Sequence, residues 1–302
     1  MIQYGSMKPK EASASKKSRI NSSNPRQNTI ALIYDFDGTL TPASMQEYTL
    51  FPALGISKSS KFWLEVDRQS RENGEEWNIA WMRVLKELAE KKNYRIDPKS
   101  LTSNARKIRY FPGVQSFFKR INVYVRNHSK HMLNVRHYIV SSGLKEILDG
   151  ISIRNEFTNI FGSEYHYNKV TGIPDFPKVV ISDTMKTQYI FRINKGKEAL
   201  WENINNYMPE ENRPIPFKNI VYIGDGLSDV PAMNVTKKNG GYAVAVYRPN
   251  SIKGKENCER LQKAGRVDFI APADYRLNSK LDKIVKLILD TIIQRYEFDK
   301  RI

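Results

Sequence analysis

Cysteine is almost absent from this chain: its 302 residues hold one, Cys258. A lone thiol excludes an internal disulfide and a cysteine-built zinc cluster. Also missing is any apolar run approaching the ~18–20 residues of a membrane span. The opening MIQYGSMKPK lacks the apolar segment of a secretory signal. Histidines number four, and His128, His131 and His137 are spaced too irregularly to read as a metal site. Acidic residues are in deficit, 32 against 49 lysines and arginines, which leaves a net charge of +17. These absences lead to the expectation of a cytoplasmic protein that does not associate with membranes. The positive balance suits anionic partners, phosphorylated metabolites or nucleic acid. The basic residues are scattered rather than gathered into a stripe, so nucleic acid is not the favoured one.

Hydrophobic residues make up 40% of the chain and aromatics 11%, enough for a substantial core. Residues 1–29 are different: Lys8, Lys10, Lys16, Lys17, Arg19 and Arg26 face one acid, Glu11, among serines and asparagines. They read as a disordered basic tail. Order is expected from Ile30. Ile30–Tyr34, Tyr138–Val140, Ile220–Ile223, Tyr242–Val246 and Val267–Ile270 are short continuous apolar runs, the pattern of strands buried on both faces. Helical spacing occupies Met45–Leu54, Lys61–Arg71, Glu76–Lys91, Pro98–Lys107, Val114–Val125, Lys197–Tyr207 and Ser279–Tyr296, and Phe161–Gly172 reads as a hairpin. Strands alternating with helices predict an α/β, doubly wound parallel sheet. The helical stretch between the first two strands exceeds a simple crossover. It predicts a helical cap over 44–111, inserted into a core made of 30–43 and 112–302.

Three of these strands end in polar residues and glycines, at the edge where open α/β sheets bind ligands. The first ends in Asp35-Phe36-Asp37-Gly38-Thr39-Leu40. Of two carboxylates separated by one residue, the one at the strand end can attack phosphorus. The second can protonate a leaving oxygen and then activate water. Gly38 permits the tight turn between them. The second strand ends in Ser141-Ser142-Gly143, a hydroxyl and amides suited to a phosphate cradle. Lys195, in Asn194-Lys195-Gly196, is the expected charge-neutralising cation, with Lys186 and Lys197 as rivals. The third strand ends in Gly224-Asp225-Gly226-Leu227-Ser228-Asp229. Asp225 there is placed to bind a hard cation such as Mg²⁺ through oxygen, which would let an anionic nucleophile approach an anionic substrate.

In this order the motifs resemble the four signatures of the haloacid dehalogenase superfamily, over residues 30 to about 275. The helical insert and Phe111-Pro112-Gly113-Val114 are similar to the phosphoserine-phosphatase-like branch with a helical cap. The resemblance implies Asp35 as nucleophile and Asp37 as acid/base. It implies Gly38, Thr39, Ser141, Ser142 and Gly143 around the phosphoryl group, and Lys195 offsetting charge. Asp35, Asp37 and Asp225 would hold Mg²⁺, with Asp229 in support. Dehalogenating members lack the second carboxylate, so Asp37 points to phosphoryl chemistry. The implied activity is hydrolysis of a small phosphomonoester through an aspartyl-phosphate. A phosphotransferase or mutase with the same intermediate, and a non-catalytic nucleic-acid-binding protein on this fold, are the alternatives. The cap glutamate that reads substrate in phosphoserine phosphatases is replaced by Ser44. Glu47 is near but out of register, and Arg83 is the nearest candidate for a partnering arginine.

Overall fold

A computed structural model describes residues 27–301; most of the basic tail, residues 1–26, lies outside the described residues. Seven strands form one sheet: β1 (Thr29–Tyr34), β2 (Asn134–Leu144), β3 (Asn159–Tyr167), β4 (Pro174–Val179), β5 (Ile220–Gly224), β6 (Tyr242–Tyr247) and β7 (Phe269–Pro272), in the order β4-β3-β2-β1-β5-β6-β7. All neighbours are parallel except β3 and β4, an antiparallel hairpin at one edge. The hairpin is longer than the expected 161–172, because its turn falls at 168–173 and its return strand runs to Val179.

The apolar runs are strands because both faces of the sheet are covered. From β1, Ile30, Leu32 and Tyr34 enter one core while Ala31 and Ile33 enter the other. Val221/Ile223 and Ile220/Tyr222 of β5 divide in the same way. Five helices lie between β1 and the helix that leads back to the sheet: α1 (Met45–Tyr48), α2 (Leu50–Ala53), α3 (Ser59–Asn73), α4 (Trp77–Lys91) and α5 (Pro98–Asn104). Around the sheet run α6 (Val114–His128), α7 (Lys145–Leu148), α8 (Met185–Lys195), α9 (Val230–Lys238), α10 (Ile252–Lys263) and α11 (Lys280–Asp299). Helices α6 and α11 cover the first core, and α8, α9 and α10 the second, where Cys258 is buried.

The inserted helices share the first core. Trp81, Leu85 and Leu101 belong to the same apolar cluster as Leu32 and Phe118. Polar ties reinforce the seam: the Tyr165 hydroxyl donates to the Met82 carbonyl at 2.6 Å and that of Thr102 to the Glu146 carbonyl at 3.1 Å.

The expected helix over 197–207 is absent, and α8 stands upstream of it. The carbonyls of this segment are taken by side chains rather than by backbone amides. Arg192 donates to those of Lys197, Ala199, Leu200 and Glu202, and Lys195 to those of Ile204 and Asn206. That arrangement replaces a helical ladder with an irregular loop wrapped around three cations of the α8 region, the third being Lys197, which holds the Asn203 carbonyl.

Candidate active site

Asp35 leaves β1 with its amide on the Ile223 carbonyl of β5, 2.9 Å away, so the first carboxylate stands at the carboxyl edge of the two central strands. The chain then folds back on itself. Amides of Thr39, Leu40 and Thr41 all converge on the Phe36 carbonyl, and Gly38 donates to the Thr41 carbonyl. Gly38 has φ +77°, and a Cβ there would lie 2.1 Å from Oδ2 of Asp225. The glycine is therefore required twice, by the left-handed turn and by the close approach of a carboxylate.

Asp37, two residues beyond Asp35, accepts the Met45 amide at 2.8 Å, the first turn of α1. Asp229 is fully buried and completely engaged. Its Oδ1 accepts Lys186 Nζ and the Tyr222 hydroxyl, each at 2.7 Å, and its Oδ2 accepts the amides of Asp225 and Gly226 at 3.1 and 3.4 Å. Gly224 makes room for it, since a Cβ there would fall 2.3 Å from Asp229 Oδ2. Oxygens of Asp35, Asp225 and Asp229 lie within 4.8 Å of one another.

The lysine of the site is Lys186, which corrects the expectation of Lys195. Lys186 Nζ donates to Asp35 Oδ1 at 3.0 Å and to Asp229 at 2.7 Å, with its side chain 1% exposed. Lys195 lies nine residues further along α8, and its amine is spent on loop carbonyls. The helix geometry explains the difference. Lys186, Tyr189, Ile190, Ile193 and Asn194 form the buried stripe of α8, at the spacing of one helix face, whereas Lys195 is a step off it. A lysine at the head of an apolar stripe was the signal in the sequence, hidden because α8 itself was not expected.

The segment expected to cradle phosphate also differs in form. Strand β2 runs on through Leu144, and the following α7 has four residues, so Ser141-Ser142-Gly143 belongs to an irregular strand end rather than to a long helix N-terminus. Ser141 is buried and its Oγ accepts the Gly143 amide at 3.0 Å. The Ser142 carbonyl is held by the Ser163 hydroxyl. Met45 packs directly on Gly143, where a Cβ would lie 2.1 Å from the methionine Cε. Thr39 is buried with an unpartnered Oγ1, and its carbonyl accepts the Tyr275 hydroxyl at 2.9 Å. Neither residue considered for substrate reading is free. Arg83 is bound by Glu75, Glu87 and Gln69, and Glu47 accepts the Ser44 amide and hydroxyl.

Burial and mutual repulsion raise the pKa of the carboxyl groups at this edge. Burial, then the Asp229 charge, work against the partly compensating Lys186 to raise Asp35 to about 6. Burial and the charge of Asp35 push Asp37 well above the ordinary carboxylate range, and burial with Asp35 and Asp229 does the same to Asp225. For Lys186, burial alone would lower its pKa, but Asp229 and Asp35 outweigh it and hold the amine charged. Four carboxylates thus share one buried ammonium. An all-oxygen donor set short of positive charge fits a hard divalent cation. The carboxylate of Asp225 has no hydrogen-bond donor among the described residues, whereas both oxygens of Asp229 are occupied. The residues present therefore fit a cation on Asp35 and Asp225 better than on Asp229.

A family profile described as haloacid dehalogenase-like hydrolase matches residues 32–234. The chain belongs to that family. An uncharacterized protein of Borreliella burgdorferi (strain ATCC 35210 / DSM 4680 / CIP 102532 / B31) is 31% identical over 286 residues, which cover 85% of this chain and 95% of that protein. Among solved structures, a haloacid dehalogenase family hydrolase from Salmonella enterica serovar Typhi superposes with a TM-score of 0.55 at 14% identity, covering 86% of this chain and 71% of the other. A phosphoserine phosphatase, captured as an analogue of its phospho-aspartyl intermediate, superposes with a TM-score of 0.53 at 15% identity, covering 86% and 99%. At such identities these structures speak for the shared fold, a parallel sheet with flanking helices. Among the described residues no helix is long and apolar enough to cross a membrane.

Proposed function

We propose that this member of the haloacid dehalogenase-like family is a Mg²⁺-dependent phosphatase that hydrolyses a small phosphomonoester through an aspartyl-phosphate on Asp35. The observation that carries the reading is the dry bridge Asp35–Lys186–Asp229 beside a second carboxylate, Asp37, on the same turn. Asp35, Asp225 and the backbone at Asp37 would hold the cation, which supplies charge neutralisation between nucleophile and substrate.

Lys186 holds one oxygen of Asp35 and leaves the other to attack phosphorus. As the new Asp35–phosphorus bond forms, the ester oxygen–phosphorus bond breaks, and Asp37 delivers its proton to the departing oxygen. Its pKa, raised by burial and by the Asp35 charge, suits a group that delivers a proton. The Met45 amide fixes the orientation of that carboxyl group. Asp37, now ionised, takes a proton from water. The resulting oxygen attacks phosphorus, phosphate leaves, and Asp35 is regenerated as a carboxylate. Ser141 and the Ser142–Gly143 backbone would bind the phosphoryl oxygens. The inserted helices act as a cap over this edge. With Arg83 and Glu47 engaged elsewhere, the phosphoserine-reading pair is not part of the proposal.

The test is phosphate release from a panel of phosphorylated metabolites with Mg²⁺, with EDTA, and with Asp35→Asn. Release that needs both Mg²⁺ and Asp35 supports the reading. Retained activity in folded Asp35→Asn overturns the nucleophile. Transfer to added alcohols in place of release would make the protein a phosphotransferase.

A further inference from the structure

At the opposite end of the sheet, near the amino ends of β1 and β2, lies a cleft of about 360 Å³ lined by Asn122, Arg126, His131, Leu133, Asn134 and Val135. Its polar lining groups are an arginine, a histidine and two amides, without a carboxylate. Among the described residues, neither Arg126 nor His131 has a side-chain ion pair or hydrogen bond.

The orientation of the Asn122 amide is set from inside the protein. His137 is buried, and burial lowers its pKa to about 3, so its imidazole is neutral. Its Nδ1 lies 3.1 Å from the Tyr34 hydroxyl and its Nε2 lies 3.0 Å from Asn122 Oδ1, with the Phe118 carbonyl also beside the ring. The Asn122 oxygen can only accept, so with this amide orientation the ring proton sits on Nε2. Tyr34 then donates to Nδ1, and the Asn122 oxygen faces inward. Its NH₂ group is left for the cleft, with no partner among the described residues.

The chain bends to build this wall. After α6, Lys130 and His131 both take left-handed backbone angles, φ 50° and 66°, a conformation that side chains adopt rarely. The turn is held by the His131 amide on the Arg126 carbonyl at 2.8 Å and by Leu133 donating to the Ser129 hydroxyl. It brings His131 back to the helix turn that carries Arg126. Donors line one cleft with no acidic group among them, which is the chemistry of an oxyanion site.

We propose that this cleft binds a small phosphate-class oxyanion, held by Arg126, His131 and the Asn122 amide, separate from the catalytic edge. Inorganic phosphate is the probe, added in EDTA so that no divalent cation is available to hold it at the catalytic edge. Side-chain NMR of the full chain follows the Asn122 amide and the His131 ring. The expected result is saturable shifts at these groups, weakened about ten-fold or more in Arg126→Gln, one charge-assisted contact, and further weakened in Arg126→Gln/His131→Asn. Both residues are exposed, so the variants keep the fold, which unchanged core resonances verify. Shifts that never saturate, that spread over surface lysines, or that persist unchanged in the double variant would overturn the proposal, and so would binding of an oligonucleotide with none of phosphate.

Discussion

Two regions of this molecule use the same ion pairs to opposite effect. On α3 and α4 the charges pair along the surface: Arg68 with Glu65 and Glu72, Arg71 with Asp67, Lys86 with Glu90. Most are widely exposed, and water would solvate either partner alone. At the carboxyl edge of β1 and β5, Lys186 joins Asp35 and Asp229 where the three side chains are 1%, 8% and 0% exposed. There no solvent replaces a lost partner. A surface pair is nearly dispensable, while a buried one dictates where neighbouring charges and protons reside.

Breaking the buried bridge should give the largest effect. Lys186→Met leaves two buried carboxylates facing each other and is expected to cost about 3–5 kcal/mol, the range for a broken buried pair, together with most of the turnover. Lys195→Met should leave activity near that of the parent, since its amine serves only loop carbonyls. Denaturant melts and kinetics of the two variants side by side measure the contrast; equal losses would remove Lys186 from its assigned place.

The pH dependence of stability sharpens the same point with a buried base. His137 is neutral in the fold, its pKa lowered to about 3 by burial, while the unfolded chain titrates near the ordinary 6.5. Between those values the unfolded state binds the extra proton. The contribution is whole above about pH 6.5 and is lost as pH falls toward 3, with a slope of up to ~1.4 kcal/mol per pH unit. Melting temperatures of the parent and His137→Gln across this window should diverge at the upper end and converge toward the acid end. At the small end of the scale, Lys86→Ala, which removes a half-exposed pair on α4, should change stability by roughly 0–1 kcal/mol and leave turnover alone.

The parts legible in the sequence were those where local pattern and chemistry coincide. Apolar runs ending in Asp35-Phe36-Asp37-Gly38 and Gly224-Asp225-Gly226 announce strands and their functional edge together, because a strand buried on both faces leaves only its end for polar work. The segment from 185 to 207 was not legible in this way. Helix α8 carries Lys186 and Arg192 on a face otherwise apolar, which blurs its period, and the loop after it mimics a helix while its carbonyls are bound by Arg192, Lys195 and Lys197. Choosing the lysine needed the three-dimensional placement of Asp229, 43 residues away in the chain. The Tyr222 hydroxyl on Asp229 and the Tyr275 hydroxyl on the Thr39 carbonyl were equally invisible, since tyrosines within apolar runs read as core.

The most direct test of the covalent route is to trap the phosphorylated chain. Asp37→Asn removes the group that activates water but leaves Asp35 and Lys186 in place. Mass spectrometry of that variant, quenched in acid during reaction with an aryl phosphate whose leaving oxygen needs no protonation, should find a phosphoryl adduct on the peptide bearing Asp35. An adduct on another residue, or turnover by the parent with no adduct on Asp35 in the variant, would contradict the assignment of Asp35 as nucleophile.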